Sequence, residues 1–278
     1  MIMKNIVIPI DFSPYSESAA RTGAYIARKT YARLHLLHVV DGPENWDLMS
    51  VSDQQKNPNV ETRMVGETMR LEKFAKDPIF DGLNVATHVK TGIAHERVVS
   101  FSKTHKADLI IMGAHGTGES RAIFVGSTAQ KVLRVASCPV LSVKLNFDPS
   151  SVGNILFPSD FEENVTDALA IVTELARAMD AGIDLTFINT PANFVDSDTS
   201  EQRMLAVKQK KSDVEINRLV YNHYQKDMGI IQAAKKRGAG MIAMVTHNRK
   251  QKPAYSFGIT ESVLFLSDIP VLSMIVKN

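Results

Sequence analysis

Short apolar runs alternate along this chain with longer stretches whose apolar positions recur at helical spacing. Residues 5–10 (Asn-Ile-Val-Ile-Pro-Ile) form the first run. Leu34 to Val40, Val85 to Val89, Leu109 to Met112 and the segment ending at Val143 follow. Continuous apolar runs of this length predict parallel strands covered on both faces. Between the first two, Ala20, Ala24, Ala27 and Tyr31 lie at helical spacing within a helix predicted over Ala19–Ala32. Ser13 is its predicted N-cap and Pro14 its first helical position. Further helices are predicted over Glu61–Lys76 and Ile93–His105. Asp41 to about Asn59 is polar, holds Gly42, Pro43 and Pro58, and reads as a long loop. Trp46 within it is expected to cap a core edge or a partner surface. Strand alternating with helix predicts an α/β fold, a parallel sheet with helices on both faces.

The pattern then starts again. Asn5-Ile-Val-Ile-Pro-Ile-Asp-Phe12 is echoed by Asn154-Ile-Leu-Phe-Pro-Ser-Asp-Phe161, and Cys138-Pro-Val-Leu-Ser-Val143 by Ile269-Pro-Val-Leu-Ser-Met274. This is an internal duplication. It predicts two domains, 1–146 and 153–278, joined by the Pro- and Ser-bearing stretch from Asn146 to Gly153. In the second copy, strands are expected at Asn154–Pro158, Asp184–Asn189, Val214–Val220, Met241–Val245 and Val271–Val276. Helices are expected at Glu163–Ala181, Glu201–Lys210, Gln225–Arg237 and Thr260–Leu266.

The stretch from Ala107 to Val143 concentrates the candidate chemistry. After the apolar run, Gly113, Gly116 and Gly118 break the strand, and Gly126-Ser127 opens a helix. Ser127 as N-cap with Gln130 three residues later has capping-box spacing. A helix N-terminus preceded by glycine offers free N–H groups and the positive end of the dipole to an anion such as phosphate. The loop is long for a strand-to-helix connection, and such loops tend to be functional. In an open parallel sheet, ligands sit beyond the strand ends where the chain order reverses. With strand four beside strand one, Asp11 faces that crevice, placed for a nucleotide's adenine-ribose end or a bound metal. As a helix N-terminal carboxylate it is equally well explained by the dipole.

Composition narrows the choices. The chain has 278 residues, 44% hydrophobic and 22% charged, with a net charge of +2. These values fit a globular protein of two domains and supply no basic patch for nucleic acid. The N-terminus lacks a signal-peptide layout and no run approaches a membrane span, so the expected address is the cytoplasm. The single cysteine, Cys138, rules out an intrachain disulfide and is expected as buried filler. No lysine-bearing P-loop, no Gly-x-Ser-x-Gly elbow and no zinc-type histidine spacing with a third ligand nearby is present.

Gly113-x2-Gly116-x9-Gly126-Ser127, with Pro9-Ile-Asp11 and the terminal Cys-Pro-Val-Leu strand, resembles the ATP-binding signature of the universal stress protein family. The resemblance covers nearly the whole chain as two tandem copies. It implies two Rossmann-like (adenine nucleotide alpha hydrolase-like) domains, each a five-stranded parallel sheet. It also implies an adenine nucleotide, ATP or AMP with or without Mg²⁺, with adenine near Pro9, Asp11 and Val39. Phosphates would be held by Gly116, Gly126, Ser127 and Thr128, and Met112, Gly113 and His115 would line the same crevice. Members commonly dimerise through the last strand. The two copies could pair in that way, and a homodimer is the wider possibility.

The second copy departs from the signature. Aligning Gly126 with Gly258 puts Val245 and Asn248 at the first two glycine positions and Ile259 at the serine. Branched side chains resist φ > 0 and obstruct backbone approach to phosphate. The expectation is nucleotide in the N-terminal copy and weak or no binding in the other. The loop Thr246–Phe257 carries Arg249, Lys250 and Lys252, which leaves a site for another anion open and reads first as a solvated charged face. His115 and His247 hold equivalent positions, with no carboxylate spaced to orient them for catalysis. Three functions stay open: a nucleotide-responsive stress protein acting through its contacts, a slow ATPase or nucleotide hydrolase, and a nucleotide-independent dimeric scaffold.

Overall fold

The computed structural model describes residues 3–44, 46–114, 127–207, 213–247 and 258–276. These residues form two compact units, 3–114 with 127–146, and 147–276. In the N-terminal unit the strands are β1 (Asn5–Pro9), β2 (Arg33–Val40), β3 (Val85–Thr91), β4 (Leu109–Gly113) and β5 (Val140–Val143). They lie in the order β3-β2-β1-β4-β5, all parallel. The helices are α1 (Pro14–Thr30), α2 (Val51–Gln54), α3 (Pro58–Phe74), α4 (Ala94–Thr104) and α5 (Ser127–Val135). Right-handed crossovers place α1 and α3 on one face of this sheet and α4 and α5 on the other. The side chains of β2 report the same division: His38 meets Phe12 and the α3 residue Glu67, whereas His35 meets Phe101 of α4.

The centre of the sheet is the apolar run read from the sequence. Ile6, Val7, Ile8, Leu109, Ile110 and Ile111 are all fully buried, each worth about 1.5–3 kcal/mol against exposure. α1 begins as expected. Ser13 is extended and its Oγ accepts from the Ser16 N–H at 3.2 Å, with Pro14 next. Small residues let the helix lie close to the sheet: a Cβ on Gly23 would stand 2.3 Å from Ile8 Cδ1. Tyr31 does not join the apolar face. It is the left-handed C-cap of α1, at φ 60°, and is 92% exposed.

The C-terminal unit repeats the plan. Its elements are β6 (Asn154–Pro158), α6 (Thr166–Met179), β7 (Gly182–Asn189), α7 (Ser197–Ala206), β8 (Ile216–Asn222), α8 (Lys226–Arg237), β9 (Met241–His247), α9 (Ile259–Leu266) and β10 (Val271–Val276). The order is β8-β7-β6-β9-β10, again all parallel. The registers match between copies. Asn5 pairs with Arg33 as Asn154 does with Gly182, and Ile6 with Leu109 as Ile155 does with Met241.

Several boundaries differ from expectation for local reasons. α6 starts at Thr166 rather than Glu163, because Asn164 Oδ1 takes the Thr166 N–H at 3.0 Å in a turn. α7 spans Ser197–Ala206 rather than Glu201–Lys210, since Asp196 caps it through the Thr199 N–H at 2.9 Å. The stretch read as one loop holds a 3-10 turn at Trp46–Leu48 and α2, which Ser50 caps. Trp46 is buried, as a core-edge cap would be. No helix among the described residues is long and apolar enough to cross a membrane.

Candidate functional site

β1 leads through α1 to β2 on one side, and β3 returns through α4 to β4 on the other side of β1. The chain order therefore reverses between β1 and β4. Their pairing is limited to Ile6–Leu109 and Val7–Ile110. Past it β1 runs on to Pro9 and β4 to Gly113, and the carboxyl ends of strands at such a reversal are the usual ligand position in open parallel sheets.

The residues at this end are held individually. Pro9 is half-buried at the end of β1, and Val39 is half-buried near the end of the neighbouring β2. Met112 is buried, Gly113 is half-buried opposite Val143, and the Ala114 N–H donates to the Val143 carbonyl at 2.9 Å. Asp11 is exposed. Its Oδ1 accepts from the Ser13 N–H at 3.0 Å and from the Ser13 hydroxyl at 2.6 Å. Among the described residues no group takes its other oxygen. Phe12 between them has φ 59°, a left-handed kink that turns the chain from strand into α1.

Sequence reasoning missed His38. Its Nδ1 lies 2.7 Å from the Ile10 carbonyl, and its ring lies 5.1 Å from that of Phe12. The Arg70 guanidinium covers the other partner, 3.9 Å from the Phe12 ring centroid. Together they prop the segment that carries Asp11. The available signal was a histidine two residues before the end of a buried strand.

His115, Gly116 and Gly126 lie outside the described residues. So does the Ser127 side chain, although its backbone opens α5. Ser127 is the first described residue of α5, and the N-cap role expected of it lies outside the described residues. Thr128 is half-buried in that first turn. Cys138 is half-buried, and burial pushes its thiol up to about 11, so it stays protonated and unreactive near neutral pH.

The equivalent end of the C-terminal unit is built differently. Phe161 keeps the left-handed kink at φ 55° and Asp160 keeps its place, with Lys226 Nζ 3.8 Å away. The β9–β10 register puts Val245 where the first copy has Gly113. At the start of α9, Glu261 is buried and its carboxylate accepts the Gly258 N–H at 2.9 Å. A carboxylate of the chain itself thus occupies the N-terminal region of the helix that would hold a phosphate.

Two five-stranded parallel sheets, each with its chain order reversing beside the first strand, define a doubly wound, Rossmann-like α/β protein. The chain belongs to the universal stress protein family, whose model matches residues 3–144. A universal stress protein of Methanocaldococcus jannaschii is 32% identical over 151 residues, covering 51% of this chain and 83% of that protein. A second one from the same organism is 28% identical over 156 residues, covering 52% of this chain and 96% of the relative. The crystal structure of a universal stress protein from Archaeoglobus fulgidus shares the fold, with a TM-score of 0.74 over 97% of each chain at 17% identity.

Proposed function

We propose that the N-terminal universal stress protein domain, residues 1–146, binds an adenine nucleotide, ATP or AMP, and that the protein acts in stress response through contacts that depend on this ligand. The observation that carries this reading is the reversal of chain order between β1 and β4, with Pro9, Val39, Met112 and Gly113 at or near the carboxyl ends of β1, β2 and β4 and Asp11 just beyond β1. The Asp11 oxygen that Ser13 does not use suits an adenine or ribose donor. The glycines and the N–H groups at Ser127 and Thr128 suit phosphate. The C-terminal domain, residues 153–278, is read as nucleotide-free. Val245 stands in place of a glycine, and Glu261 already satisfies part of the helix N-terminus with negative charge. A phosphate there would have to displace or face that carboxylate.

The test is equilibrium binding of ATP and AMP, with and without Mg²⁺, to the intact protein and to Gly126→Val and Gly258→Val. Saturation near one nucleotide per chain, weakened at least tenfold by Gly126→Val alone, is the expected result. No binding at millimolar nucleotide would remove the reading in favour of a scaffold. Loss in Gly258→Val alone would reverse the assignment of the two copies.

A further inference from the structure

A second polar cluster lies under α4, within the sheet and away from the strand ends just described. His35 on β2, His88 on β3 and His105 at the C-cap of α4 each bring one ring nitrogen within 4.8 Å of the other two. His35 is buried, and the other two are half-buried. His35 Nδ1 and His88 Nε2 are 3.2 Å apart. Two imidazole nitrogens on one tetrahedral zinc, each at about 2.0–2.1 Å, stand about 3.3 Å apart. The pair is therefore already at the spacing of two ligands on one ion.

The outer hydrogen bonds orient the rings. His35 Nε2 lies 3.2 Å from Asn5 Oδ1. An N–H donated there leaves Nδ1 as a lone pair facing the cluster. His105 Nδ1 lies 3.0 Å from the Phe101 carbonyl, and donating to it leaves Nε2 as a lone pair. His88 supplies the third nitrogen in its other neutral tautomer. This is the arrangement in which ligating histidines are held, with the far nitrogen tied to an amide or carbonyl oxygen. The C-terminal carbonyls of α4 add partial negative charge at His105. Burial first, then the neighbouring rings and Arg33, hold His35 down at about 4, and burial with His105, Arg33 and Lys90 does the same for His88. Both rings are thus neutral and free to ligate near neutral pH. The ring of Phe101 stacks on His105 at 3.8 Å, which fixes the His105 plane.

The other copy shows what the same seats hold when no ion is wanted. By the matching registers, Asn154 stands at the place of Asn5, Asp184 at that of His35 and Leu219 at that of His88. Arg237 precedes β9 by as much as His105 precedes β4. There Arg237 clamps Asp184 through Nε at 2.7 Å and a terminal nitrogen at 3.2 Å, and Asn154 donates to the same carboxylate at 2.5 Å. That triad satisfies itself with one positive and one negative charge. The first copy fills the seats with three imidazoles and no carboxylate.

We propose that His35, His88 and His105 form a binding site for a late first-row divalent cation, zinc by ligand type, with water or a small anion at the fourth position. Three neutral nitrogen donors suit zinc, copper or nickel and do not suit magnesium or calcium. With Arg33 nearby and no anionic ligand, the site is exchangeable rather than permanent. It does not rest on the nucleotide reading, and either can fail alone.

The experiment uses the full chain without an affinity tag, stripped by a chelator and titrated with Co²⁺ and then Zn²⁺. The expected result is one tetrahedral Co²⁺ per chain by visible absorption, displaced by Zn²⁺. Affinity should fall at least tenfold in His88→Gln and in His105→Gln, stay within about twofold in His223→Gln, and rise severalfold in Arg33→Gln; outer-sphere loss in Asn5→Ala should cost about tenfold. If a variant fails to fold, ring ¹⁵N spectra of the wild type decide: of eight histidines, Zn²⁺ should shift the three named and no others. No uptake by the wild type at about a hundred micromolar metal, or uptake indifferent to both glutamine variants, overturns the proposal.

Discussion

At the residue scale, acid response follows from two histidines. His35 and His88 sit at about 4 in the folded chain, against 6.5 when exposed. As pH falls, the unfolded chain takes up these protons first. Their contribution to stability is therefore present above about pH 6.5 and is lost as pH falls towards 4. The metal-free protein should lose urea resistance steadily over that window, and His88→Gln, which removes one such proton, should flatten the loss. Denaturation midpoints across about pH 7 to 4.5 check it. An identical slope in wild type and variant would contradict it. The same scale explains Asp11. It is both the turn-forming acceptor for Ser13 and, through its other oxygen, a candidate ligand group. Its structural and functional readings, equal in the sequence, use different atoms and do not compete.

At the element scale, the Asp184–Arg237 pair ties β7 to the end of α8. Asp184 has no exposed surface, whereas the Arg237 side chain is 45% exposed. Arg237→Leu would leave a buried carboxylate with Asn154 as its remaining side-chain partner among the described residues, at a cost of about 3 kcal/mol, the low end for a broken buried pair. Arg237→Lys should recover only part, since an ammonium cannot grip both oxygens. Urea unfolding measures both, and a change under about 0.5 kcal/mol for the leucine variant would show the pair to be idle. Element order and strand placement were legible because buried parallel strands write themselves as unbroken apolar runs, as Ile6–Ile8 and Leu109–Ile111 do. Helix starts were less legible where Asn164 or Asp196 made a local turn or cap that periodicity does not register. The histidine cluster could not be read at all from spacing. His35, His88 and His105 meet through the β2–β3 register and the length of α4, which are properties of the fold. His38 was hidden for the same reason: its partner, the Ile10 carbonyl, is on another strand's continuation.

At the scale of the whole molecule, duplication gave one plan and two sets of fittings. Both units keep the strand order, the reversal of chain order beside the first strand and the left-handed phenylalanine after the aspartate. They differ at Gly113 against Val245, and in the second copy Glu261 closes the helix start of α9. If nucleotide binds only the N-terminal unit, it should stabilise only that unit. A ligand at a hundred times its dissociation constant adds about 2.7 kcal/mol to opening, roughly a hundredfold slower exchange for amides that need that opening. Hydrogen exchange read by mass spectrometry should then show β1 and β4 peptides slowing strongly with saturating ATP, while β6 and β9 peptides keep their rates. The paired strands are a fair comparison because Ile6–Leu109 and Ile155–Met241 have the same register and both ladders are buried. Gly126→Val should abolish the slowing and leave the ligand-free rates of β6 and β9 unchanged. Equal slowing of both pairs by ATP would mean that the closed helix start of α9 does not exclude nucleotide, and the one-sided assignment would fall.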